Sequence, residues 1–216
     1  MELIDLSHAI EHGMITYKGL PAPLICDYLS REDSKKNYAP GTEFQIGKIE
    51  MVTNTGTYLD CPFHRYADGK DLSQIQLENI AELKAILIDA ENYQSIGKIF
   101  FEGKDLAGKA VLVHTGWSKH WRTDAYFENH PFLTAEAADY LVSQQVKLVG
   151  IDSHNIDDTR TNSRPVHSAL LGHEILIVEH MTNLHQLKGK RFIFNAVPPK
   201  VAGAGTFPVR AFAKTV

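Results

Sequence analysis

Apolar residues recur with a period of two along most of the patterned stretches of this chain, which predicts strands more often than helices. Residues Phe44 to Val52 alternate, but the phase shifts midway. Phe44 and Ile46 fall on one face, Ile49 and Met51 on the other, and Gly47 stands at the shift as the place for a bulge. Leu83 to Ala90 is mostly apolar and suits a buried strand. Further strands are predicted at Ala110 to His114, Val146 to Ile151, Ile175 to Glu179, Arg191 to Val197 and Val209 to Ala213. The clearest helix runs from Thr134 to Gln145. Thr134 is its cap, Glu136 favours the first turn, and Ala137, Ala138, Leu141 and Val142 make the apolar stripe. Val166 to Leu171 predicts one or two helical turns, and Leu72 to Ile80 a weaker helix. Arg31 to Gly41 and Asp152 to Arg164 read as polar loops. Many strands with few helices make an α/β or α+β domain spanning residues 1–216, with the strand order left open.

Composition narrows the class. The 216 residues are 44% hydrophobic and 22% charged, with a net charge of −4, so no basic face for nucleic acid is expected. No apolar run approaches a membrane span, and the acidic start Met1-Glu2-Leu3-Ile4-Asp5 does not resemble a secretion signal. Two cysteines, Cys26 and Cys61, imply no disulfide framework. A cytoplasmic protein acting on a small molecule is the expectation. Of the eleven histidines, His8, His12, His120, His130 and His185 sit in polar surroundings and read as surface or loop residues.

The chemistry concentrates in Asn54-Thr55-Gly56-Thr57-Tyr58-Leu59-Asp60-Cys61-Pro62-Phe63-His64. Gly56 permits a tight turn, Thr57 can bond locally, and Pro62 fixes its own φ and holds Cys61 extended. The segment thus carries a carboxylate and an imidazole on a stiff backbone. Asp60 is a candidate hard ligand, and His64 a candidate ligand or general base. Read on its own, the same segment also suits an ordinary turn with a buried Asp–His bond.

It resembles the signature of the cyclase family, His-x-Gly-Thr-His-x-Asp-x-Pro-x-His, with Asn54 and Tyr58 in place of the first two histidines. A second block, Ser163-Arg164-Pro165-Val166-His167-Ser168-Ala169-Leu170-Leu171-Gly172 followed by Ile175 to Glu179, is similar to the family's later block. Asp5 to His8, Thr115 to Ser118, Thr134 to Ala138 and Gly150 to Ser153 extend the likeness over nearly the whole chain.

The resemblance implies a swivelling β/β/α architecture with the signature near the sheet edge. It further implies metal-dependent hydrolysis of small amides, cyclic amides or lactones, and a homo-oligomer, dimer or tetramer. Carried over by position, Asp60, His167 and Glu179 would bind one divalent ion, zinc or manganese, and His64 would be the acid/base. Tyr58 would stabilise an oxyanion. Asn54, Trp117 and Trp121, with Tyr126 and Phe127 nearby, would meet the substrate. His154 is a candidate replacement for a lost ligand. Kynurenine formamidase activity goes with the complete histidine set, so the likeness does not extend to that activity. The loss of both histidines leaves open a metal-free isomerase or dehydratase, or a non-catalytic binding protein on the same scaffold.

Overall fold

A computed structural model describes all residues from Met1 to Val216. Thirteen strands follow in chain order: β1 (Leu3–Asp5), β2 (Leu24–Leu29), β3 (Ile46–Glu50), β4 (Tyr58–Asp60), β5 (Leu83–Asp89), β6 (Ser95–Ile96), β7 (Ala110–His114), β8 (Phe132–Leu133), β9 (Leu148–Ile151), β10 (Leu176–Glu179), β11 (Phe192–Asn195), β12 (Thr206–Pro208) and β13 (Phe212–Thr215). Three α-helices accompany them: α1 (Arg31–Lys35), α2 (Ala135–Ser143) and α3 (Pro165–Gly172). Nine strands form one curled mixed sheet in the order β1-β13-β11-β5-β7-β9-β10-β4-β12. β5, β7, β9 and β10 are mutually parallel, and the flanking strands pair antiparallel. This is the α/β, swivelling β/β/α architecture the sequence led us to expect.

Of the parallel strands, β7, β9 and β10 are buried on both faces, which is why they read as continuous apolar runs. Their side chains alternate between two cores. Val111, Val113, Val149 and Ile177 share one core with Leu141 of α2 and Leu170 of α3. Leu112, Leu148, Leu176 and Val178 share the other with Leu59, Phe194 and Leu184. Thr134 caps α2 by accepting a bond from the Ala137 N–H at 3.2 Å. No helix is long and apolar enough to cross a membrane.

Several expectations change. The alternating stretch at 44–52 yields only β3, and it pairs with β2 outside the main sheet, where all five of its residues are exposed. The register irregularity lies on β2 between Asp27 and Leu29, opposite Gly47 rather than at it. The polar stretch 31–41 opens with α1, capped by Ser30. The predicted strand 209–213 straddles the break between β12 and β13. Leu72 to Ile80 contains only a single 3-10 turn at Leu77–Asn79. The 152–164 loop is polar yet buried through Asp157, because its side chains bond inward.

Candidate active site

The signature segment becomes β4 and the 3-10 turn Pro62–His64 that follows it. Gly56 has φ +66, a region a side chain would strain, which is the need the sequence indicated. Strand alternation then sorts the segment. Leu59 enters a hydrophobic core, while Tyr58 and Asp60 point to the opposite face. Tyr58 pairs directly with Glu179 of β10, and Asp60 with Thr206 of β12. Cross-strand register therefore brings three chain-distant segments to one place. α3 supplies His167 from its first turn.

At the floor of this place, His167 Nε2 lies 3.7 Å from Asp60 Oδ2 and 3.8 Å from Glu179 Oε1. Asp60, His64 and His167 also present donor atoms within 4.8 Å of one another. Asp60 is fully buried, and its Oδ2 has no hydrogen-bond partner. A buried carboxylate oxygen without a donor is costly unless a cation or proton meets it. Asp60, His167 and His64 thus present a donor set that fits a divalent ion. Glu179 fits less freely. Its Oε2 accepts from Tyr58 at 2.6 Å and its Oε1 from the Ile156 N–H at 2.6 Å.

Tautomers follow from the bonds. Thr206 Oγ1 donates its single proton to Asp60 Oδ1, so His64 Nδ1, at 3.0 Å from that hydroxyl, is the donor to it. Nε2 of a neutral His64 is then an acceptor. His64 itself is exposed at the mouth, whereas Asp60, Glu179 and His167 are buried. His167 Nδ1 donates to Asp157 Oδ2 at 2.6 Å, which turns Nε2 toward the carboxylates. The two oxygens of Asp157 also take the backbone N–H groups of Val166 and His167, so one side chain caps α3 and orients its histidine. Burial opposes charge on His167, but its bond to Asp157 and the nearby carboxylates of Glu179 and Asp60 push it up to about 10. Burial raises Glu179 to about 7 against the opposing pull of His167. Burial likewise holds the phenols of Tyr58 and Tyr17, which lie 2.7 Å apart, well above the ordinary tyrosine value.

The cleft above this floor has a volume of about 560 Å³. Asn54, Tyr58, His64, His154, His167 and Glu179 reach it. Trp117 and Trp121 do not. Trp117 donates its ring N–H to Tyr126 O at 3.0 Å, and Trp121 stacks on His8 at 4.1 Å and meets His180 edge-on. His154 lines the cleft but stands outside the donor cluster, packed on Tyr17 at 4.6 Å. His130 is buried, bonded to Pro131 O and Thr159, rather than a surface residue. Thr206 and Tyr17 are recruited from distant segments, and Asp157 from the loop ten positions before His167. Only the density of carboxylates and amides at 152–164 hinted at Asp157.

Comparison with known proteins bears directly on this site. The family model "Putative cyclase" matches residues 4–158, more than half of the chain and all of the signature. The chain belongs to the cyclase family. A kynurenine formamidase of Bacillus cereus is 29% identical over 217 residues, covering 100% of this chain and 98% of that protein. One of Bacillus cytotoxicus is 30% identical, covering 97% and 96%. Among solved structures, a potential metal-dependent hydrolase with cyclase activity superposes with a TM-score of 0.79 at 25% identity, covering 98% and 96%. Isatin hydrolase A from Ralstonia solanacearum shares the fold, with a TM-score of 0.80 at 23% identity over 98% and 91%. Full-length relatives of this chain thus include kynurenine formamidases, and the donor cluster stands within that likeness.

Proposed function

We propose that this cyclase-family chain is a metal-dependent hydrolase of a small-molecule amide, cyclic amide or lactone. The observation that carries the reading is the buried, unpartnered Oδ2 of Asp60, 3.7 Å from His167 Nε2. Asp60, His167 and Glu179 would hold the divalent ion, which leaves His64 for proton transfer. Bound there, it supplies a Lewis acid and a water of lowered pKa. Asp157 keeps His167 in the tautomer that offers Nε2 inward. Thr206 does the same for His64, leaving Nε2 to take a proton and return it to the leaving nitrogen or oxygen. The proton of Tyr58 is committed to Glu179, so its contribution is to fix that carboxylate, and the oxyanion role requires the bond to exchange.

A second reading, acid–base chemistry on the same groups without an ion, is favoured by the two 2.6 Å bonds that engage both oxygens of Glu179. Metal analysis of the purified protein separates the two. We expect close to one equivalent of zinc or manganese per chain, lost in Asp60→Asn, together with hydrolysis of formanilide that falls at least about 100-fold in that variant. Full activity after exhaustive chelation, with no ion detected, would establish the second reading.

A further inference from the structure

Two guanidinium groups border the cleft, and neither has a carboxylate partner. Arg65 is exposed and donates its Nε to Ser168 Oγ at 3.1 Å. Arg164 is half-buried, and its Nη1 bonds to the carbonyls of Thr161 and Ser163, both at 2.7 Å. The adjacent Arg160, by contrast, is paired with Asp158 through two side-chain bonds. The loop therefore satisfies one arginine with its own acid and leaves the other facing the cleft. The carbonyls hold Arg164 in place without neutralising it, so its fork is pre-organised for a planar anion.

The rest of the lining agrees. Asn155, Thr159 and Asn162 add amide and hydroxyl groups near Arg164, and Leu20 is the only aliphatic side chain among the lining residues. Such a surface suits a polar ligand better than a wholly apolar one. The acidic groups of the site, Asp60 and Glu179, are at the buried floor, while the two arginines are nearer solvent. An anionic substrate would thus be oriented, with its charge outward on the arginines and its reactive carbonyl inward toward Asp60 and His167.

Resting on the hydrolase reading above, we propose that the substrate carries a carboxylate, which Arg164 binds and Arg65 assists. The probes are benzoate against benzamide for binding, and 3-formamidobenzoate against formanilide for turnover. Calorimetry on the wild type should show benzoate binding about tenfold or more tighter than benzamide. Arg164→Gln should abolish that preference, Arg164→Lys should keep part of it, and Arg65→Gln should reduce it about threefold. In kinetics, Arg164→Gln should raise KM for the carboxylate substrate by about tenfold more than it raises KM for formanilide. Should Arg164→Gln fail to fold, Arg164→Lys and Arg65→Gln decide. Equal affinity for benzoate and benzamide, or a preference that survives in these variants, overturns the inference. A benzoate preference that depends on Arg164, with neither formanilide hydrolysed, supports the inference and overturns the hydrolase reading. Hydrolysis of both formanilides at equal kcat/KM does the reverse.

Discussion

Asp157 lies ten positions before His167, yet it governs that histidine through three contacts with α3. Asp157→Asn keeps the shape but weakens the anionic hold on Nδ1. Metal affinity or activity should fall about 10- to 100-fold, which a competition titration with a chelating dye would show. His154 makes a different prediction. Burial lowers it from 6.5 to about 3. Above 6.5 both folded and unfolded chains hold it neutral. Below that value the unfolded chain takes up the proton and the folded chain does not, so stability declines as pH falls from 6.5 toward 3. The slope is up to about 1.4 kcal/mol per pH unit. His167, raised to about 10, acts with the opposite sign, so the comparison must isolate His154. Urea unfolding at pH 7 and pH 5 should show a smaller loss for His154→Phe than for the wild type, and an equal loss would refute the assignment. At this scale the sequence pointed to Asp60, His64, His167 and Glu179, because their residue types and spacing match a motif. It did not point to Thr206 or Asp157, because a hydrogen-bond partner needs only a hydroxyl or a carboxylate from any segment that folds close by.

The elements that carry the site are short, and their placement depends on close backbone approach. Gly205, just before β12, has its Cα side against the backbone of Phe63 and His64, where a Cβ would overlap both. Gly205→Ala should therefore shift the turn that holds His64. We expect a loss of a few kcal/mol in stability, and activity lowered about 100-fold in the fraction that remains folded, measured by thermal unfolding beside turnover. The long buried strands and α2 were legible because their apolar periodicity extends over enough residues. β4 was not, since three residues cannot display a period, and the segment read as a loop. The strand predicted at 209–213 failed for a related reason. Its apolar residues serve a bend between two strands, and Ala211 is buried there without belonging to either.

Across the molecule, the β2–β3 pair stands apart from the main sheet and leaves apolar side chains in solvent. Ile25 sits directly opposite Ile49, and Ile49 and Tyr28 are 59% and 78% exposed. A two-stranded sheet is marginal by itself, and exposed apolar patches in general favour association. We expect light scattering to give a mass of at least twice the 24.2 kDa chain, and Ile49→Lys to lower it. A monomer in the wild type would remove the argument. The sequence by itself determined the strand-rich α/β class, the positions of the main strands and the two blocks where chemistry resides. Each of those rests on local periodicity or on residue types at fixed spacing, which a linear chain displays directly. Only the tertiary structure decided that Trp117 and Trp121 do not line the cleft, that Tyr58 holds Glu179, and that Arg164 borders the cleft without a carboxylate partner. Those facts depend on which strand lies beside which and in what register, and pairing between residues more than a hundred positions apart leaves no trace in local pattern.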